Sequence, residues 1–274
     1  MKKMMQMLAL ILVLGLLCCG CGAPKTPEEV VERMNTALEK TPCSQMDSEV
    51  GFNMSMDMGL LGSMDMDMRM VMAMTMCQDP MGAQMDLLMD INAAGETMQT
   101  EAESYIVMED GNLINYTCSE GQWVKMAAEE DFASMTAIDL NGATMSIDET
   151  ITEFEGVKVI CLNMTVTGEG VEDVLGGVMQ DNEAMDILGD VDWSALTCEG
   201  KLYVDAKTYL PVAEIMSISG MDTAMSSAFE GMGVTVEIGT FDVSVRFRSY
   251  EPVDPIVVPE EAADAVDITG SAAA

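Results

Sequence analysis

Methionine is the residue whose abundance and spacing in this sequence point most directly to chemistry. The chain contains 31 methionines in 274 residues, and they occupy every second position from Met54 to Met58 and from Met64 to Met76. Their thioethers could hold copper(I), which soft sulfur ligands select. Their flexible, polarizable side chains could instead line a surface for an apolar ligand. They could also serve only as the apolar face of packed strands, at about 1.5 to 3 kcal/mol for each fully buried side chain.

The alternation itself disfavours copper and leaves the other two interpretations open. Side chains at every second position lie on one face of a β-strand, so this period fits burial in a sheet better than it fits a compact metal site. The sequence also contains no histidine that would complete a mixed site. We interpret Asp57, Asp65 and Asp67, which stand between the methionines, as part of the solvated convex face of the same strands.

Residues for acid-base catalysis are scarce. The absence of histidine removes serine-histidine and cysteine-histidine mechanisms and most zinc chemistry. Adjacent acids at residues 129–131 and 260–261 stand where first helical turns are expected, and there they complement the helix dipole. The glycine-containing stretches lack the lysine of a phosphate-binding loop. We therefore expect no enzymatic activity, no cofactor and no bound metal.

The cysteines beyond the N-terminal segment are single and widely separated, without the paired spacing of zinc or redox motifs. They are therefore buried apolar residues, strand-bridging disulfides, or a mixture with at least one free thiol, since their number is odd. These residues are Cys43, Cys77, Cys118, Cys161 and Cys198.

The N-terminus has the segment order of an exported lipoprotein. Lys2 and Lys3 precede an apolar run that is shorter than the roughly 20 residues a membrane span requires. Cys21 follows Gly20, and a lipoprotein signal ends at a cysteine preceded by a small residue. We therefore predict lipidation of Cys21 and attachment to the outer face of the cell membrane. A diacylated cysteine carries two acyl chains, which suffice for stable anchoring. An ordinary secretory signal or an uncleaved anchor helix is the alternative.

The formal charge of −35 limits the partners of the protein. Such a surplus of acid repels phosphate backbones and anionic headgroups, so we expect no nucleic acid partner. The lipid, and not the charge, must hold the protein at the membrane. The same charge keeps the chain soluble although 49% of its residues are hydrophobic. We expect the protein to be a monomer.

Strand patterns dominate the rest of the chain. The alternation from Met64 to Met76 predicts a strand more than twice the usual length of about 5 to 6 residues. A long antiparallel sheet must twist and curl, which favours one curved sheet over two compact domains. Turns are expected at residues 59–63, 78–80, 94–96, 109–112, 120–121 and 155–156. Further strands are predicted at residues 84–93, 97–108, 113–118, 122–126, 149–155, 158–167, 193–205, 212–219 and 234–248.

Three segments have helical spacing. Thr26 supplies a capping hydroxyl, Pro27 stands at the first helical position and Glu29 follows three residues after the cap, which together predict a helix over Pro27–Lys40. Residues 129–140 are weakly helical. The segment from Val171 to Met179 also returns to a helical period, and we expect it to cover the sheet.

Several of these elements together carry a resemblance to known proteins. The mature chain resembles an uncharacterised lipoprotein family of Gram-positive bacteria related to the LolA and LppX/LprG-like lipoprotein carriers. The resemblance implies an α+β, mainly β fold, in which a single large curved antiparallel sheet forms a half-open barrel with a few helices on the concave face. It also implies an apolar cavity on that face, which accepts the acyl chains of lipids or lipoproteins in the carriers. Besides the signal, the helix and the methionine strands, the motifs are Gln122-Trp123-Val124-Lys125-Met126, Tyr203-Val204-Asp205-Ala206-Lys207-Thr208-Tyr209-Leu210-Pro211-Val212, Tyr250-Glu251-Pro252-Val253 and Val258-Pro259-Glu260-Glu261-Ala262.

We therefore expect a signal peptide over residues 1–20, a tether over 21–26, one half-barrel domain over 27–267 and a disordered tail over 268–274. The predicted function is binding of a lipid or another apolar ligand in a methionine-lined cavity, although the carriers line theirs mainly with branched and aromatic side chains. The alternative is a structural or interaction protein of the cell surface with a filled core. The residues predicted to line the cavity are Met54, Met56, Met58, Met66, Met68, Met70, Met72 and Met74, with Val174, Leu175 and Val178 on a covering helix.

Overall fold

A computed structural model describes residues 24–57, 59, 62–128, 142–168, 170–171, 192–224 and 235–268. The N-terminal helix α1 spans Pro27–Leu38 and begins as predicted. Thr26 caps it, since the Thr26 hydroxyl accepts a hydrogen bond from the Glu29 backbone N–H at 3.3 Å. The helix ends before the predicted Lys40, because the Thr41 hydroxyl donates to the Leu38 carbonyl at 2.8 Å and the following proline disfavours helical backbone at residue 41.

Strands account for most of the described chain, and several are long. The first two strands and the twelfth have 15, 16 and 15 residues, which confirms the long strand predicted from the alternation. A short helix, α2, spans Met221–Ala224, and 3-10 turns cover Trp193–Ala195 and Glu260–Asp264. The strands are β1 Cys43–Asp57, β2 Ser63–Gln78, β3 Met81–Ala93, β4 Glu96–Glu109, β5 Asn112–Ser119, β6 Gln122–Ala127, β7 Thr144–Ile147, β8 Glu153–Phe154, β9 Val157–Thr167, β10 Thr197–Asp205, β11 Pro211–Ser219, β12 Thr235–Ser249 and β13 Val266–Asp267.

One sheet joins these strands in the order β13-β6-β5-β4-β3-β2-β1-β12-β11-β10-β9-β7, and β8 pairs with β9 outside this path. The short pair of β13 with β6 is parallel, and the other pairs along the path are antiparallel. In the middle of the sheet β12 returns to pair with β1, so β2–β6 extend to one side and β7–β11 to the other. The sheet is not closed, which confirms the predicted mainly β, half-open barrel architecture.

Tight hairpin turns set the register of the predicted strand pairs. At Ala94-Gly95 and Glu120-Gly121 both residues have positive φ, at 51° and 84° in the first turn and 52° and 76° in the second. Two consecutive positive φ angles define the type I′ turn, whose twist matches the flanking strands. Glycine at the second position adopts this backbone without a Cβ clash. The turns predicted at these positions are confirmed.

Two predicted strands are wrong in extent because local hydrogen bonds compete with pairing. The Asp148 carboxylate accepts bonds from the Thr150 backbone N–H at 3.1 Å and from the Thr150 hydroxyl at 2.5 Å, which folds residues 148–150 into a turn. Of the strand predicted at 149–155, only Glu153–Phe154 pairs. Asp192 likewise accepts from the Ser194 backbone N–H, so a 3-10 turn replaces the beginning of the strand predicted at 193–205.

Candidate functional site

The register of β1, β2 and β3 places the alternating methionines on one face of the sheet. Met70 of β2 lies opposite Val50 of β1 and Met89 of β3, and Met66 lies opposite Met54. Directly opposed residues of antiparallel strands project to the same face. We define the methionine face of these strands by Met46, Val50, Phe52, Met54, Met56, Met64, Met66, Met68, Met70, Met72, Met74, Met76, Met85, Leu87, Met89 and Ile91.

The structure thus brings together the predicted ligand residues of β1 and β2. All seven of them are half-buried, whereas Met76 near the end of β2, which was not among the predicted ligand residues, is only 4% exposed. Met98 of β4, opposite Ile91, is 58% exposed. The half-buried residues are Met54, Met56, Met66, Met68, Met70, Met72 and Met74. Cys21, Met58, Val174, Leu175 and Val178 lie outside the described residues.

The methionine face continues across the whole sheet. A transverse row of directly opposed residues runs from Leu202 of β10 through Glu214 of β11, Val245 of β12 and Ser48 of β1 to Met72 of β2. Residues in one such row share a face. The surface around Leu202 and the surface around Met72 are therefore two regions of the same face.

Helix α1 packs on this face over β9 and β10. Val30 and Met34 of α1 form a core with Leu162, Leu202 and Val204, and all five are fully buried. A neighbouring core contains Val171, Ala224 of α2, Leu196 and Ile218. The face is therefore closed by helical residues at β9–β11, whereas the described methionines of β1–β3 other than Met76 are only half-buried.

The opposite side of the sheet is acidic over β1–β3, and we call that whole side, which includes Lys201 of β10 and Arg246 of β12, the acidic face. Asp57, Asp65 and Asp67 are exposed and alternate with the methionines, so the prediction that they lie on the solvated face is confirmed. Arg69 forms an ion pair with Glu49 at 2.6 Å on the same side. Ion pairs this exposed contribute little to stability, and they leave the surplus of acid largely uncompensated.

Two open clefts lined by described residues lie on the acidic face, away from the methionines of β1 and β2. One, of about 770 Å³, is lined by Lys201, Tyr203 and Asp242 among others. The other, of about 800 Å³, is lined by residues that include Val71 and Leu88. These clefts were not predicted from the sequence, because the side to which each strand residue projects depends on pairings between distant segments.

The five cysteines within the described residues divide into one disulfide and three buried thiols. Cys43 and Cys77 are directly opposed on β1 and β2 and form a disulfide across a sequence separation of 34 residues. Cys118, Cys161 and Cys198 are free and buried. Burial raises the pKa of the Cys161 and Cys198 thiols, which makes them poor nucleophiles.

Glu214 is a residue of the methionine face that sequence reasoning missed. It stands in the interior of β11 on the face formed by Leu202, Val245 and Met216. Its side chain is half-buried, and burial raises the pKa of the Glu214 carboxyl. Alternation within β11 could have revealed it, because a glutamate replaces an apolar residue in the series Val212, Glu214, Met216, Ile218.

Neither a metal site nor a membrane-spanning helix is found among the described residues. They contain no group of three or more histidine, cysteine, aspartate or glutamate side chains that could hold a metal ion. The helices within the described ranges are too short or too polar to cross a bilayer.

Comparison with known proteins gives a family and two solved structures. Residues 26–267 match the model of a family of unknown function, DUF6612, and no curated protein matches the chain. An outer membrane lipoprotein-sorting protein domain from Vibrio parahaemolyticus is 10% identical, over 81% of this chain and 92% of that chain, with a TM-score of 0.24. A beta-barrel-like protein of the domain of unknown function DUF1849 from Brucella abortus is 9% identical, over 74% and 96% of the two chains, with a TM-score of 0.22.

Proposed function

The chain belongs to the DUF6612 family, and we propose that it is an extracytoplasmic lipoprotein that binds a lipid or another apolar ligand on the methionine face. The observation that carries the proposal is the register of β1–β3, which gathers the alternating methionines into one continuous, half-buried apolar surface. The resemblance of the sequence to lipoprotein carriers agrees with this function.

The contrast between the two regions of the face supports a ligand rather than a purely structural role. Over β9 and β10 the apolar side chains are fully buried under α1, as expected of a packed core. Over β1–β3 most of the methionines keep part of their surface accessible. Each Å² of apolar surface that stays exposed forgoes about 25 cal/mol of favourable free energy. Methionine adapts its shape to varied apolar partners, so an acyl chain would recover this burial.

The N-terminal residues and the disulfide support export and anchoring. Lys2, Lys3 and Cys21 have the order of a lipoprotein signal, and the disulfide between Cys43 and Cys77 is typical of an oxidising compartment. In the proposed arrangement the lipid on Cys21 holds the protein at the outer face of the cell membrane. The sheet then presents the methionine face to molecules that leave or enter the bilayer.

We further propose that the protein binds its ligand without transforming it. The sequence supplies no histidine, and the buried thiols Cys161 and Cys198 have raised pKa values. The residues gathered on the methionine face are chiefly thioethers and hydrocarbons, which bind apolar groups but neither donate nor accept protons effectively.

A matched pair of substitutions tests the proposal. Met89 and Leu88 are adjacent in β3, both half-buried, and they project to opposite faces because Met89 opposes Met70 whereas Leu88 opposes Val71. We expect M89Q to weaken binding of monododecanoylglycerol about fivefold, near 1 kcal/mol for the lost apolar contact. L88Q should stay close to wild type.

The measurement is isothermal titration of the mature chain, exported with Cys21→Ser so that it carries no acyl anchor. Equal losses in the two variants, or no binding of monododecanoylglycerol by the wild-type chain, would contradict the proposal. A thermal melt of each variant shows whether the substitution has changed folding instead of binding.

A further inference from the structure

Glu214 places a carboxylate in the interior of an otherwise apolar face. Its directly opposed neighbours are Leu202 on β10 and Val245 on β12, and Leu202 has no exposed surface. On the described strands, the other charged residues of this face are Glu96, Glu153 and Lys158, and all three stand at strand ends. Glu214 alone combines a charge with a central position on this side of the described sheet.

Among the described residues, none supplies a counter-ion to Glu214. Within the described residues we find no hydrogen bond or ion pair to its carboxylate, and burial is the cause of its raised pKa. The cations of neighbouring strands project to the acidic face, where Lys201 pairs with Asp148 and Arg246 pairs with Glu155. They cannot reach a carboxylate on the opposite side of the sheet.

An unpaired carboxylate in apolar surroundings is costly. Removing a polar group from water without a compensating hydrogen bond lowers stability, and removing a charge lowers it more. A leucine at this position would extend the core around Leu202 and Val204 without that cost. The position therefore suits a partner that arrives with the ligand and leaves with it.

We propose that Glu214 binds the polar end of the ligand, which is an amphiphile whose headgroup donates hydrogen bonds and carries no negative charge. The inference rests on the proposed function, because it assigns the headgroup of the molecule whose apolar part contacts the methionine face. A hydroxyl, amide or ammonium group fits this description. A free carboxylate or a phosphate at the end of the same chain does not.

The transverse row gives the ligand room to lie across the strands. From Glu214 the row passes through Val245 and Ser48 to Met72, which is three strand spacings or about 14 Å at roughly 4.8 Å each. A headgroup at Glu214 thus leaves the acyl chain directed toward the methionines of β2. Ser48 is a second, uncharged polar group along this path.

Two physical effects set the selectivity. A donor that satisfies a buried acceptor is strongly preferred over an analogue that leaves the acceptor unpaired. An anionic headgroup near Glu214 adds repulsion between like charges in surroundings of low dielectric constant. Both effects favour monododecanoylglycerol over dodecanoate, although their acyl chains are equal in length.

The test compares these two probes on four forms of the anchor-free mature chain at pH 7.5. The forms are wild type, E214L, E214Q and the control E199Q, since Glu199 is an exposed acid on the opposite face of neighbouring β10. We expect wild type and E199Q to prefer monododecanoylglycerol over dodecanoate about tenfold. We expect E214L to lose this preference by weakening toward the glycerol ester and tightening toward dodecanoate.

The second variant keeps the result interpretable if E214L fails to fold. E214Q retains an acceptor without the charge, so it should keep its affinity for monododecanoylglycerol and bind dodecanoate more tightly. The inference is overturned if the Glu214 variants keep the wild-type preference, or if E199Q loses it to the same extent. Headgroup-independent binding that M89Q still weakens would overturn the role of Glu214 while supporting the proposed function. Failure of both probes to bind the wild-type chain would overturn both.

Discussion

At the scale of single residues, alternation within a strand places apolar side chains on the methionine face and acidic side chains on the opposite face. Met89 and Leu88 are sequence neighbours, yet they belong to opposite faces because Met89 opposes Met70 and Leu88 opposes Val71. The alternation of methionine with aspartate was enough to predict which residues of β2 share a side. Glu214 could not be assigned a role in this way, because its surroundings come from β10 and β12, which are distant in sequence from the methionine strands.

Asp148 gives a residue-scale prediction with a definite pH dependence. Hydrogen bonds from the Thr150 hydroxyl and backbone, and then the contact with Lys201, lower the pKa of Asp148 to about 2. Because this is below the value of about 3.9 in an unfolded chain, the ionised form stabilises the fold above pH 4, and the contribution is lost as the pH falls toward 2. Urea unfolding of wild type and D148A should differ at pH 7 and converge near pH 2.

The control for that prediction is E199Q, which removes an exposed acid without such contacts. Its difference from wild type should change much less between pH 4 and pH 2. A D148A difference that stays constant from pH 7 to pH 2 would mean that these hydrogen bonds do not depend on ionisation of Asp148.

At the scale of elements, local signals predicted most boundaries. Pro27 after a capping threonine located the start of α1, and the pairs Ala94-Gly95 and Glu120-Gly121 located the turns. The short strand β7, Thr144–Ile147, escaped prediction because four residues carry little periodicity. Its pairing with β9, and not its local sequence, makes it a strand.

Helix α1 is predicted to stabilise the sheet through its buried face. Met34 has no exposed surface and packs in the core with Leu162 and Leu202. M34A should lower the free energy of unfolding by about 2 to 5 kcal/mol, from lost burial and the cavity left behind. Chemical denaturation measures this loss, and E32A on the exposed side of the helix should change it by less than about 0.5 kcal/mol.

The pairing of β1 with β2 yields a prediction about the cysteines. With Cys21 replaced by serine, alkylation of the denatured mature chain should modify three cysteines before reduction and five after it, because Cys43 and Cys77 are joined. C43S/C77S should be less stable by about 2 to 4 kcal/mol, since the bond closes a long loop of the unfolded chain. Five reactive thiols without reductant would contradict the pairing.

At the scale of the whole molecule, long-range pairing is what the sequence does not reveal. Strand order within the meander β2–β6 follows chain order, but β12 pairs with β1 across most of the chain. Neither strand contains a local signal for the other. That pairing makes Leu202, Glu214 and Met72 members of one transverse row. The position of Glu214 in line with the methionines therefore depends on it.

The central claim is that the methionine face holds a molecule with an apolar chain. Its most direct test is native mass spectrometry of the mature chain, exported in a bacterial envelope with Cys21→Ser, followed by solvent extraction and identification of whatever is bound. We predict a stoichiometric adduct with an acyl chain and a headgroup free of negative charge, which M89Q retains less well than L88Q. A chain that carries no adduct and also fails to bind added monododecanoylglycerol would contradict the claim.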